Sequence, residues 1–187
     1  MALSTCEPSH AEINLTLALG LTLLSPYYRG FVRGLNLCAD DRVLDFGSGS
    51  GICSRHVAAR LTRGHLDCVD ISAGWMAVIR RTLRRYDNVG YHLGRITDLD
   101  LPDGAFDAVV IHFVLHDIPA AERPEIVNAL ARKLKPGGHL LLREPQGEGL
   151  TPEELEQLTA AAGLATTAVN ARKIAIGAVY DGCFTPS

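Results

Sequence analysis

The sequence predicts an α/β fold: a mostly parallel sheet with helices on both faces. Three observations carry that expectation. From Arg42 onward, short apolar runs alternate with longer amphipathic stretches, as βαβ units require. The run Val43–Phe46 passes directly into Gly47-Ser48-Gly49-Ser50-Gly51, and a helical pattern opens at Ile52. The chain finishes on two strand-like runs whose break is too short for a parallel crossover, so one C-terminal strand is expected to be antiparallel.

Size and composition fit one domain over 1–187, with 1–40 as an N-terminal helical cover and 41–187 as the core. Hydrophobic residues make up 47% and charged residues 21%, an ordinary globular balance. A net charge of −3 gives no support for a nucleic-acid partner, whose phosphates demand a basic surface. Arg80-Arg81 and Arg84-Arg85 lie at helical spacing and read as a solvated helix face. The 5 cysteines are odd in number and lack C-x-x-C spacing, so neither a disulfide framework nor a metal site is expected; reduced thiols fit a cytoplasmic protein. The apolar run Ile13–Leu24 is interrupted by Asn14, Thr16, Gly20 and Thr22 and is too short to span a bilayer. Glu7 and Glu12 precede it, where a signal peptide would be basic. It reads as a core helix covering one edge of the domain, and no membrane partner is expected.

The elements follow in order. Tyr27 and Tyr28 precede a first helix-like segment, Arg29–Leu35, and stand where they could close over a bound ligand. Val43–Phe46, His65–Val69, Gly90–Leu93, Ala108–His112 and His139–Leu142 are apolar and short enough for strands. Ile52–Leu61, Ala73–Tyr86 and Ala120–Leu134 carry helical periodicity; Pro124 falls in a first turn, where its missing N–H costs little. Pro136-Gly137-Gly138 forces a sharp turn from helix into strand. Thr151-Pro152-Glu153-Glu154 is an N-cap followed by proline and acids, opening a helix that ends near Gly163. Ala165–Asn170 and Lys173–Tyr180 are the closing strands. With right-handed crossovers this gives a Rossmann-like, doubly wound sheet of seven strands, one of them antiparallel.

The glycine loop is built for close backbone approach to a nucleotide-like ligand at a helix N-terminus. Its spacing is G-x-G-x-G, where a dinucleotide site wants G-x-G-x-x-G. Asp70 closes the next strand, placed to accept hydrogen bonds from both ribose hydroxyls of an adenosine. The other reading of Asp70, a helix cap, is weakened by Ser72, which is better placed to cap Ala73 onward. No G-K-[ST] is present, and Asp45 ahead of the loop would repel a pyrophosphate while suiting an ammonium or sulfonium group. The sign of that charge favours S-adenosylmethionine over NAD.

On these residues the chain resembles the class I S-adenosylmethionine-dependent methyltransferases from about Tyr28 to the C-terminus. Val43–Gly51 matches that family's first motif, Asp70 its ribose-binding acid, Phe106-Asp107-Ala108-Val109-Val110 its fourth strand, and Leu134-Lys135-Pro136-Gly137-Gly138-His139-Leu140 its fifth-strand turn. The resemblance implies S-adenosyl-L-methionine as cofactor and S-adenosyl-L-homocysteine as product. It places Gly47, Ser48, Gly49 and Gly51 against the methionyl part, Asp45 at the amino group, and Asp70 on the ribose with Ile71 alongside. Met76 would pack near the adenine or simply in the core. Where the family often has Gly-Asp-Ala, this chain has Gly94-Arg95-Ile96, and arginine cannot accept the adenine amino hydrogen bond. Ile96 N–H, a stacked Arg95 or Asp98 would have to serve instead.

After the fourth strand comes Ile111-His112-Phe113-Val114-Leu115-His116-Asp117-Ile118-Pro119, without the Asn/Asp-Pro-Pro-Tyr that grips an sp² amine. Methyl transfer is an in-line displacement dominated by positioning and desolvation. A hydroxyl or protonated amine also needs a base, for which His116 is the catalytic candidate; a structural histidine is the competing reading. His112 is expected to touch the cofactor through its backbone. Arg143-Glu144 would bind a polar substrate or pair with each other. The expected function is methyl transfer to a small-molecule acceptor, with a homodimer as a further partner. The alternatives are an open-cleft protein or RNA methyltransferase and a non-catalytic cofactor-binding accessory protein. An NAD-linked oxidoreductase is opposed by the loop spacing and the consecutive C-terminal strands.

Overall fold

The computed structural model describes residues 7–147, 149–174 and 177–187. Two helices come first, α1 (His10–Leu21) and α2 (Ser25–Gly34). Then β1 (Arg42–Phe46), α3 (Ile52–Ala58), β2 (His65–Asp70), α4 (Ala73–Thr82) and β3 (Val89–Leu93) alternate. They are followed by β4 (Phe106–His112), a short 3-10 turn (Leu115–Asp117), α5 (Arg123–Lys133), β5 (Leu134–Pro145) and α6 (Pro152–Ala161). The hairpin β6 (Leu164–Ile174) and β7 (Gly177–Pro186) ends the chain.

The seven strands form one sheet in the order β3-β2-β1-β4-β5-β7-β6. The first five are parallel to their neighbours, and β7 runs antiparallel between β5 and β6. The single reversed strand expected from the sequence is therefore β7. The winding direction reverses between β1 and β4, and a crevice outside the carboxyl ends of those two strands is where such sheets bind ligands.

The central strands are mostly apolar because both faces are covered, with Asp45 and Asp67 as buried exceptions. Val43 and Leu44 point to opposite faces, and both are fully buried. On one face Leu44, Val109 and Leu140 pack with Leu130 of α5 and Leu155 of α6. On the other, Val43, Leu66 and Val110 pack with Phe31 of α2, Val57 of α3 and Ile79 of α4. Lys135–Gly138 bulges out of β5: Leu134 pairs with Phe106 and His139 with Ala108, and Gly137 takes φ +78°. The expected turn from helix into strand is therefore not at Pro136–Gly138: α5 ends at Lys133 and β5 already begins at Leu134, so these residues interrupt the strand instead. Lys135 Nζ anchors it on Asp107, 2.7 Å away.

Three further expectations are corrected. α1 is not a core helix: Gly20, wedged on Ile52, is its buried residue, while Leu15, Leu19 and Leu21 are exposed. Tyr27 and Tyr28 lie within α2 rather than ahead of it. The expected strand Lys173–Tyr180 crosses a strand boundary: Ile174 ends β6, Gly177 begins β7, and positions 175–176 lie outside the described residues. β7 continues to Pro186 instead, holding Phe184 in the core.

Candidate active site

The crevice is assembled from strand ends. Gly47 N and Ser48 N both donate to Val69 O, at 2.9 and 3.1 Å, which ties the loop after β1 to β2. Gly47 and Gly51 have φ of +69° and +75°, a region that L side chains rarely enter. Space also forbids a side chain there. A Cβ on Gly47 would sit 2.5 Å from Val114 Cγ2, and one on Gly51 would sit 2.6 Å from Ile79 Cγ1. Gly49 differs: a Cβ there would meet only Gly47 O at 3.9 Å. The middle of the loop therefore faces open space, as a ligand cradle must, while its two ends are packed against the protein.

Asp45 is buried under this loop. Its Oδ2 accepts from the Ser54 hydroxyl, and its backbone carbonyl accepts from Ser48 Oγ at 2.8 Å. Burial pushes its carboxyl up to about 6, against the hydrogen bonds from Ser54 and Ser48 and with a smaller push from Asp70. Asp70 Oδ2 accepts from Gly49 N at 2.8 Å and Oδ1 from Ser72 N at 2.9 Å. Burial raises this carboxyl too, opposed by those backbone donors. A carboxylate has about four lone-pair sites, so Asp70 can hold the loop and still accept from a diol. Ser72 Oγ accepts from Trp75 N at 3.0 Å and is the helix cap, as expected.

Beside Asp70, Ile71 is 43% exposed and Leu93, its neighbour at the end of β3, is 50% exposed. They form an apolar rim at Asp70. Leu93 escaped the sequence reading; its signal was an apolar residue directly before Gly94 at a strand end. Met76 is 4% exposed within the α3–α4 core, so its side chain takes the core alternative. Ile96 is also a core side chain. Arg95 pairs with Glu122 Oε2 at 2.8 Å.

The second half of the crevice lies at the ends of β4 and β5. The His112 ring packs against Tyr28, Phe31 and Phe113, with centroids 5.1, 4.8 and 4.4 Å away. Burial, with Arg143 adding to it, pushes this imidazole down to about 3, so it stays neutral. Phe113 has φ +59°, the one non-glycine with positive φ among the described residues. Strain of this kind concentrates at functional sites.

Arg143 and Glu144 do not pair with each other, because adjacent strand residues face opposite ways. Arg143 makes a two-pronged bond to Asp181, 2.6 and 2.8 Å, and lies over the Phe31 ring. Glu144 is fully buried. Its Oε1 accepts from Val114 N and Leu115 N at 3.0 and 2.9 Å, and its Oε2 stands 2.7 Å from His116 Nδ1. His116 Nε2 lies 3.4 Å from Asp117 Oδ1. Among the described residues, the imidazole thus has the buried Glu144 carboxylate on one nitrogen and the exposed Asp117 carboxylate near the other. Sequence reasoning placed His116 here but missed Glu144 as its partner. Among the described residues, no cluster of three or more His, Cys, Asp or Glu could hold a metal, and Cys38, Cys53, Cys68 and Cys183 are free thiols.

Comparison with known proteins gives a consistent answer. The family described as "Methyltransferase domain" matches residues 43–138, from β1 to the bulge of β5. A demethylmenaquinone methyltransferase of Clavibacter sepedonicus is 37% identical over 112 residues, covering 60% of this chain and 44% of that protein. A protein-L-isoaspartate O-methyltransferase of Roseiflexus castenholzii is 33% identical over 158 residues, 80% of this chain and 72% of the relative. The chain spans about half the length of the demethylmenaquinone-type relatives. A solved S-adenosylmethionine-dependent methyltransferase of Aquifex aeolicus shares the fold, with a TM-score of 0.73 at 17% identity over 97% of this chain and 100% of that one. A glycine loop open only at its centre, an acid closing the second strand, and a family match spanning both lead to one assignment: this chain belongs to the class I S-adenosylmethionine-dependent methyltransferases.

Proposed function

We propose that the chain transfers a methyl group to a small molecule bearing an ionisable O–H or N–H, with His116 as the general base. The observation that carries this reading is the buried Glu144 carboxylate on His116 Nδ1. An ionised Glu144 keeps the proton on Nδ1, which directs the basic lone pair to Nε2. The two flanking carboxylates stabilise the imidazolium formed when Nε2 takes a proton. When bound, S-adenosylmethionine supplies an electrophilic methyl group on a cationic sulfur. Asp70 holds the ribose, Gly47, Ser48, Gly49 and Gly51 line the methionyl part, and Asp45 supplies negative charge beneath the amino group. Ile71 and Leu93 flank the base, and Ile96 contributes its N–H. The strand-end backbone at His112 borders the reacting atoms, with its neutral ring packed behind.

The quinone-directed names of several relatives support a small aromatic acceptor. A second reading, a carboxylate on a protein, is favoured by the Roseiflexus relative, which covers more of the chain. One experiment separates them. The purified chain is incubated with S-adenosylmethionine and either a hydroxylated quinone precursor or an isoaspartyl peptide, and methylation is read by mass. Modification of the quinol alone, lost in His116→Ala, supports the proposal. Modification of the peptide alone, or unchanged turnover by His116→Ala, overturns it. Calorimetry of the cofactor with Asp70→Ala and Gly49→Val tests the binding half: unchanged affinity in both refutes the cradle.

A further inference from the structure

The N-terminal helix leaves an unusual surface. No charged residue occurs between Ile13 and Tyr28, yet α1 lies on the outside of the molecule. Leu15 is 61% exposed and Leu23, just past the helix, 69%; Leu19 and Leu21 are also exposed. Gly20 rests on Ile52, so the opposite side of α1, with Leu15, Ala18 and Leu19, points to solvent. α1 opens on His10 and Glu12 and carries Asn14 and Thr16, so the uncharged, leucine-rich surface is confined to the turns from Ile13 onward.

Beside this ridge the sequence-level reading of the arginines changes. Arg81, in the last turn of α4, and Arg84 and Arg85, just past its end, do not merely form a solvated helix face. With Arg55 of α3 and Leu21 of α1 they line a groove of about 370 Å³ that contains no carboxylate. Neighbouring guanidiniums share the same field. Burial, together with Arg55, Arg29, Arg33 and Arg85, pushes the imidazole of His56 down to about 4. Leu21 belongs to both features, so the apolar ridge and the basic groove are continuous.

We infer that this face docks on an anionic phospholipid bilayer, with the leucines of α1 entering the headgroup–acyl boundary and the arginine groove receiving lipid phosphates. Exposed leucines flanked by arginines are the pairing that interfacial binding uses. Other occupants fit less well. The groove offers no aromatic ring for a nucleobase to stack on. A second copy related by a two-fold axis would set one arginine groove against the other. The inference stands apart from the identity of the methyl acceptor.

Co-sedimentation of the whole chain with vesicles tests it, comparing pure phosphatidylcholine with phosphatidylcholine–phosphatidylglycerol mixtures. The expected result is partitioning onto the anionic vesicles alone, abolished by high salt. Arg81→Gln/Arg84→Gln/Arg85→Gln should weaken partitioning by about a hundredfold, the product of about fivefold per arginine. Leu15→Glu/Leu19→Glu should abolish it while the melting temperature and S-adenosylmethionine affinity stay at wild-type levels. The salt titration of the wild type needs no variant, so a leucine variant that folds poorly does not rescue the idea. Absence of partitioning at low salt, or equal binding to neutral vesicles, overturns it. So does a wild-type dimer without vesicle affinity that Leu15→Glu/Leu19→Glu dissociates, or RNA-oligomer binding through the same arginines in place of vesicle binding.

Discussion

Two of the buried carboxylates, Asp45 and Glu144, sit in contrasting environments. Asp45 has few donors and is pushed up to about 6, above its ordinary 3.8. Because the folded value lies above the unfolded one, the fold favours the protonated acid. Its contribution to stability is full below about 3.8 and is lost as the pH rises through about 6. Asp45→Asn should therefore stabilise the apo protein by roughly 1–3 kcal/mol at neutral pH, the scale set by about 1.4 kcal/mol per pKa unit. At pH 4 it should bring no gain, and cofactor affinity should fall. Denaturant unfolding at both pH values checks this, and a gain of equal size at the two would remove burial as the cause. Glu144 has two backbone donors on one oxygen and His116 on the other, and on the proposed mechanism it is a positioning residue. Glu144→Gln preserves its shape but weakens the hold on the basic tautomer. It should lower kcat about a hundredfold or more, the scale of general base catalysis, with KM little changed. It should also displace the limb of the pH–rate profile that His116 controls. A drop in kcat with an unmoved pH profile would assign Glu144 a structural role only.

At the scale of elements, the loop after β1 is fixed by what packs on it. Gly47→Ala places a methyl 2.5 Å from Val114 in a backbone conformation at φ +69°. Overpacking and positive φ together should cost about 2–4 kcal/mol. Adding Val114→Ala should return part of that loss, because the clash goes while the backbone strain remains. Chemical denaturation of the single and double variants reads the coupling, and strict additivity would mean the two residues do not meet. This pairing was invisible in the sequence, since residues 47 and 114 come together only through the parallel contact of β1 with β4. The same limit explains what was and was not legible. β1, β2 and β4 were readable because a strand covered on both faces is mostly apolar, even with an aspartate in each. Ser72 and Thr151 were readable because capping is local, and both accept the expected backbone N–H. Glu144 was not, since its partners come from the turn after β4. α1 misled because apolar composition says that a helix resists water, not which surface covers it. The end of β6 was missed because Ile174, Ala175, Ile176 and Gly177 offer a single turn-forming residue.

At the scale of the whole molecule, the strand that carries Glu144 is held by β7. β7 lies between β5 and β6, so the last residues close the sheet on the side of Glu144. Glu144 pairs with Tyr180, and next to it Arg143 is locked onto Asp181. Farther down, Phe184 pairs with Leu140 and is fully buried against the core beneath α5 and α6. Phe184 stands four residues along β5 from the site, roughly 13 Å at the rise of an extended strand. Phe184→Ala should therefore lower the unfolding free energy by about 3–5 kcal/mol, as for other buried aromatics. At a temperature where the variant stays folded, its pH–rate profile should match the wild type, because the hydrogen bonds of Glu144 are untouched. A urea titration and a pH series on the same preparation separate the two effects. A loss below about 1 kcal/mol would show that the hairpin frays independently of the sheet, a behaviour seen in low-stability terminal elements. A shifted profile in the folded variant would show that core packing at the foot of β5 reaches Glu144 at its tip.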